Sequence, residues 1–308
     1  MKQSESYRSS LKSLDTEENI DLWFYRPVGY AWAKGAKFCG ITPNAITIAS
    51  IFLGVGAGIL FYFNNLWINI LGMFLLVWAN SFDSADGQLA RMTHQYSKIG
   101  RILDGLSGDL WFASIYLAIC MREIHFTPFF HHYPWVMWIL IIAAALCHSR
   151  QASLADYYRQ IHLFFLKGSS GSELTTAEEL KRKLQKSEGH ASLIERCFER
   201  LYLFYTEGQE GMTPCFQKFY KELMLKYPDG DIPQQFRIKF REKSLPLMKY
   251  ANALTFNWRA ITLFVSLLLG IPWLYPVAEI TVFNLLMISM HYRHEKLSSV
   301  LTEQILQL

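Results

Sequence analysis

Charge is missing from this sequence over long stretches. No Asp, Glu, Lys or Arg occurs from Phe38 to Phe82 or from Ile124 to Ser149, and Glu279 is the only such residue from Ala260 to Tyr292. Charged residues make up 18% of the 308 and hydrophobic residues 51%, whereas a soluble domain carries about a quarter charged residues. Uncharged runs of this length exclude an ordinary soluble domain, because a bilayer helix needs about 20 largely apolar residues and these runs supply them. Cysteine pairing is also missing. Cys39, Cys120, Cys147, Cys197 and Cys215 form no C-x-x-C pair, and an odd, scattered set argues against a disulfide framework or a zinc site. The opening MKQSESYRSSLKSLDTEEN lacks the apolar core of a signal peptide, so no cleavage is expected. A net charge of +4 gives no case for a nucleic-acid partner. Neither an internal repeat nor a low-complexity tract is present.

What is there reads as an all-α integral membrane protein with six transmembrane helices. The spans run from Asn44 to Phe63, Trp67 to Met92, Lys98 to Met121, Pro134 to Leu154, Asn257 to Trp273 and Leu274 to Tyr292. Basic residues mark the cytoplasmic side of a membrane protein. Lys34 and Lys37 precede the first span, and Arg91, Lys98 and Arg101 fall between the second and third. Arg150 and Arg159 follow the fourth, and Arg293 and Lys296 follow the sixth. All lie on one side, which places both termini in the cytoplasm. Trp67, Trp135, Trp138 and Trp273 near span ends suit an aromatic belt. The glycines of LGVGAG (Leu53 to Gly58) permit close helix packing.

The chain divides into a cytoplasmic N-terminus (1–43), four spans (44–154), a polar insert (155–256) and two further spans with a C-terminal tail (257–308). Residues 12 to 37 mix Leu22, Trp23, Phe24, Tyr25 and Trp32 with basic residues. That mixture suits a helix lying in the membrane interface; a soluble cap helix is the other reading. In the insert, KGSSGSELTTAEELKRKLQK reads as a linker and then a helix capped by Thr175 or Thr176. SLIERCFERLYLFY has helical apolar spacing.

The chemistry is concentrated in DSADGQLARMTHQYSKIGRILDGLSGD, from Asp83 to Asp109. Carboxylates at membrane depth are costly, and an intramembrane one is a functional hypothesis by default. Four together need a cation to offset their repulsion, and hard divalent cations take oxygen ligands. Asp83 and Asp86 are three apart and share a helix face. Gly87 allows close approach to the backbone, Ala90 is another small residue, and Arg91 can neutralise phosphate. Gly100 and Asp104, four apart, share a face of the next helix.

This stretch resembles the signature of the CDP-alcohol phosphatidyltransferase family, D-x2-D-G-x2-A-R-x8-G-x3-D-x3-D. Asp83, Asp86, Gly87, Ala90, Arg91, Gly100 and Asp104 match it in spacing, and ITPNAIT (Ile41 to Thr47) resembles a segment common before the family's first span. The resemblance implies transfer of a phosphatidyl-type group from a CDP-linked lipid to an alcohol, with release of CMP. It implies Mg2+ or Mn2+, held as a two-metal site by Asp83, Asp86, Asp104 and Asp109. Asp104 and Asp109 would be the catalytic carboxylates, and Gly87, Ala90, Arg91 and Gly100 the cytidine and phosphate pocket. A homodimer is implied in the same way.

The fourth aspartate departs from the pattern. Position 108 is glycine, and the carboxylate comes one residue later at Asp109. On a regular helix residue 108 lies ~40° round from Asp104 and residue 109 lies ~140° round. A single π-bulge between Gly105 and Gly108 would return Asp109 to the metals; otherwise Asp109 is a helix-interface residue.

The acceptor is less defined. Arg150, ending the fourth span, and Arg259, beginning the fifth, would suit an acceptor that already carries phosphate, such as inositol phosphate or glycerol 3-phosphate. Both also read as positive-inside anchors. His125, His131 and His132 in the outer loop read as solvated, and Glu279 near Pro276 reads as an outer-interface carboxylate. Two rival activities share the acidic cluster: a choline or ethanolamine phosphotransferase with diacylglycerol as acceptor, and a cation transporter. A transporter favours charges at mid-membrane.

Overall fold

The computed structural model of the chain describes residues 13–168, 172, 174–187, 193–228 and 230–306. Residues 1–12 and parts of the linker and insert therefore lie outside the described residues. Among those described, every element is helical. A π-helical turn, Asp21–Tyr25, leads into α1 (Arg26–Phe38). Then come α2 (Pro43–Phe61), α3 (Leu66–Thr93), α4 (Lys98–Phe126), α5 (Pro128–His132) and α6 (Pro134–Lys167). The insert gives α7 (Ala177–Ser187), α8 (Leu193–Met212), α9 (Pro214–Lys226), α10 (Gln234–Ser244) and α11 (Met248–Ala253). The chain closes with α12 (Phe256–Leu268), α13 (Leu274–Ala278), a π-helical stretch Glu279–Phe283 and α14 (Asn284–Leu306).

Four helices are long and apolar enough to cross a membrane: Pro43–Phe61, Leu66–Thr93, Pro134–Lys167 and Leu274–Ile305. The chain is an integral membrane protein on that ground. The other two expected spans have physical reasons to stand apart. Helix α4 has 29 residues, ample length, but it carries Asp104, Asp109, Arg122 and Glu123. Helix α12 has 13 residues and ends before the left-handed Gly270, short of the ~20 that a span needs.

The chain clusters into two compact units. One runs to His148 and includes Phe256–Val282; the other comprises Ser149–Thr255 and the chain from Phe283 onward. In the first, α2 packs along both α3 and α4, and α1 packs on α3. The expected close packing of LGVGAG is present. A Cβ at Gly54 would lie 2.1 Å from the Trp111 ring, and one at Gly58 would lie 2.3 Å from Ser114 Oγ. These glycines, one turn apart, bring the α2 backbone close enough for Ser114 Oγ to donate to the Val55 carbonyl at 3.0 Å. Phe61, Leu76, Ile115, Ile119, Met137 and Leu263 fill the centre with no exposure.

The second unit has an aromatic core. Phe165 stacks on Phe240 with ring centroids 3.7 Å apart, and Tyr158 lies over His294 at 3.9 Å. Thr176 caps α7, its hydroxyl accepting from the Glu179 amide. The Glu295 carboxylate accepts from the Cys215 and Phe216 amides at the start of α9.

Candidate metal and diphosphate site

Each helix end near Asp83 is fixed by a local cap. Thr42 Oγ1 accepts from the Ala45 amide to start α2. Ser97 Oγ accepts from the Gly100 amide at 2.8 Å to start α4, satisfying a donor that the first turn leaves unpaired. Helix α3 ends at His94, whose backbone is left-handed (φ 55°). The amides of His94 and Gln95 both return to the Ala90 carbonyl. The four residues 94–97 turn the chain directly into α4.

This turn brings Asp83 and Asp86 of α3 against Asp104 of α4, with one carboxylate oxygen from each within 4.8 Å of the others. Asp86 is 4% exposed, Asp83 is half-buried, and Asp104 is exposed. Two hydroxyls orient the buried pair. Thr47 Oγ1 donates to Asp86 Oδ2. Ser107 Oγ lies 2.8 Å from Asp83 Oδ1 and 2.8 Å from the Asp104 carbonyl. Neither hydroxyl was singled out by the sequence. Thr47 lay in ITPNAIT, and Ser107 stands three residues after Asp104, on its face of the helix. The donor set is three carboxylates and no nitrogen or sulfur, which fits a hard divalent cation.

The other expected site residues take several positions. Gly87 sits under Arg91, whose Nη1 would be 3.5 Å from a Cβ placed there. Ala90 supplies the carbonyl that closes α3. Gly100 is needed for packing: a Cβ there would lie 2.4 Å from Asn44 Oδ1 and 2.8 Å from Ser97 Oγ. Asp109 does not join the cluster. Helix α4 is regular α-helix through Gly105 and Gly108, so the expected bulge is not formed. The extra residue leaves Asp109 exposed, well round the helix from Asp104.

Arg150 is exposed in the second unit. Arg259 is 1% exposed and donates to Glu279, itself 0% exposed. Glu279 is thus a buried partner rather than an interfacial carboxylate. His148 Nδ1 lies 3.8 Å from its other oxygen, and Tyr116 Oη lies 2.9 Å from the same nitrogen. A lone buried charge is costly and a paired one is tolerated, so Glu279 accounts for Arg259 without a substrate.

Two comparisons with known proteins bear on the site. Archaetidylinositol phosphate synthase of Pyrococcus horikoshii is 38% identical over 82 residues, which are 27% of this chain. The chain spans 42% of the length of that relative. The model of the CDP-alcohol phosphatidyltransferase family matches residues 40–163, a segment that contains Asp83, Asp86 and Asp104. The signature's resemblance thus extends to residues 40–163, which match the model of the CDP-alcohol phosphatidyltransferase family.

Proposed function

We propose that the protein transfers a phosphatidyl-type group from a CDP-linked lipid to an alcohol that already carries phosphate, releasing CMP. The observation that carries this reading is the convergence of Asp83, Asp86 and Asp104 inside the matched segment. Mg2+ or Mn2+ is the proposed ion. When bound, it supplies charge neutralisation for the diphosphate and for the departing phosphate.

The chain's own residues have distinct tasks. Asp83 and Asp86, oriented by Ser107 and Thr47, hold the ion. Arg91, over Gly87, faces the donor phosphates. The acceptor oxygen bonds to the lipid-side phosphorus as that phosphorus releases CMP. The hydroxyl proton passes to a carboxylate, and Asp104 is the exposed member of the three. Asp109 enters this scheme only through a rewound α4. The name of the Pyrococcus relative favours an inositol phosphate acceptor over glycerol 3-phosphate. Arg150 remains a proposed acceptor contact, whereas Arg259 is held by Glu279 and drops out of that role.

The six-span reading, an active site facing the cytoplasm, an interfacial N-terminal helix and a homodimer belong to the same proposal. Trp23 and Phe38, 84% and 93% exposed, are the side chains that a bilayer interface would cover.

The test is CMP release by purified protein given CDP-diacylglycerol, magnesium and a panel of plain and phosphorylated alcohols, with the lipid product identified by mass spectrometry. Release with inositol phosphate and not with inositol is expected. Failure to release CMP with any acceptor on the panel would overturn the reading and favour transport.

A further inference from the structure

Resting on that reading, we infer that Arg26 contacts the donor's diphosphate and that Glu17 positions it. Neither belongs to the signature; both come from the segment before the first span.

The guanidinium of Arg26 has two working edges. On one, Nε donates to Glu17 Oε2 at 2.9 Å and Nη2 lies 2.9 Å from Glu17 Oε1. This is the paired-fork geometry that fixes an arginine's orientation. The Glu17 side chain is 5% exposed and that of Arg26 is 20% exposed, so the pair is shielded from water. The remaining nitrogen, Nη1, is directed to Ser84 Oγ at 3.4 Å. Ser84 is the residue after Asp83.

The backbone of Arg26 is fixed too. Gln88 is fully buried, and its Nε2 donates to the Arg26 carbonyl at 3.1 Å. One turn on, a Cβ at Gly29 would lie 2.9 Å from Ser84 Oγ and 3.2 Å from the Ala85 amide. Glycine there lets α1 seat on the α3 turn that bears Asp83. Arg26 is therefore held by its fork, its carbonyl and its helix, with Nη1 directed to Ser84, the residue next to Asp83.

The charges explain why such an edge is useful. Asp83, Asp86, Asp104 and Glu17 oppose Arg26 and Arg91. With cations held by the three aspartates the site would attract a polyanion such as a diphosphate. An arginine matches phosphate geometry where a lysine supplies only a point charge. The Nη1–Ser84 contact joins α1 to α3, and the Glu17 fork, from a residue outside both helices, fixes the guanidinium at that contact.

The experiment uses full-length Arg26→Lys, Arg26→Gln and Glu17→Gln proteins, each read in two ways. The first is the KM for CDP-diacylglycerol and for the acceptor. The second is the shift in melting temperature that the CDP-linked donor causes in the presence of magnesium. A diphosphate contact predicts a donor KM raised about tenfold in both Arg26 variants, the size of one charge-assisted hydrogen bond. The acceptor KM stays within about twofold, and the donor-induced shift shrinks or disappears. Glu17→Gln gives the same change at smaller size. A lowered melting temperature with unchanged donor KM and a full donor-induced shift would show a staple and overturn the inference. Wild-type protein that releases no CMP and is not stabilised by the donor fails the parent reading, a distinct result.

Discussion

At the residue scale the site consists of carboxylates held by hydroxyls. Asp83 and Asp86 were legible because three-residue spacing forces them onto one helix face, and Asp104 because the turn between α3 and α4 is too short to carry it away. Asp109 was not legible. One extra residue moves a side chain ~100° around a helix, and only the fold decides whether a bulge absorbs it. Here α4 stays regular. Asp109→Asn is therefore expected to keep activity within a fewfold of wild type, whereas Asp104→Asn loses more than about a hundredfold, as expected for a lost metal ligand. Initial rates of CMP release compare the two. A dead Asp109→Asn protein with normal melting would require α4 to rewind around the substrate. Thr47 and Ser107 escaped the sequence for another reason: a hydroxyl in an apolar helix usually returns to its own backbone, and only the tertiary neighbour gives it another role.

At the element scale, small residues set how closely helices approach. Gly54 and Gly58 face Trp111 and Ser114, while Gly56 meets nothing within 4 Å. The sequence showed a glycine tract; the helical phase separates its packing members from its spare one. Gly54→Ala would place a methyl inside the Trp111 ring position, an overpacking that costs about 1–3 kcal/mol or more. Gly56→Ala costs nothing measurable or stabilises slightly, since alanine is the better helix former. Thermal unfolding in one detergent or nanodisc preparation reads both. Equal melting temperatures for the two variants would show that α2 and α4 do not pack as closely as described.

At the scale of the whole molecule, charge-free runs revealed the membrane helices, and basic residues suggested their direction. The division into units was not legible. The chain from Phe283 groups with the insert because α14 packs on α9, a contact with no sequence signature. Nor could the sequence show that Arg259 and Glu279, 20 residues apart, would satisfy each other. The proposed orientation predicts labelling of the exposed Cys197 by an impermeant maleimide in inside-out vesicles and not in right-side-out ones. Cys215 should react more slowly and speed up as pH rises. Burial, and then the Glu295 carboxylate beside it, push its thiol above the usual range, so less thiolate is present near neutrality. Labelling of Cys197 from the outside would reverse the orientation.

The central claim is that the oxygens of Asp83, Asp86 and Asp104 hold the ion on which group transfer depends. A magnesium titration of CMP release from CDP-diacylglycerol, run on wild-type and Asp86→Asn proteins of matched folding, tests it most directly. The wild-type rate should saturate with magnesium and vanish with chelator, and the variant should show under about 1% of that rate at any magnesium concentration. A chelator-resistant wild-type rate, or an Asp86→Asn protein at full rate, would contradict the account.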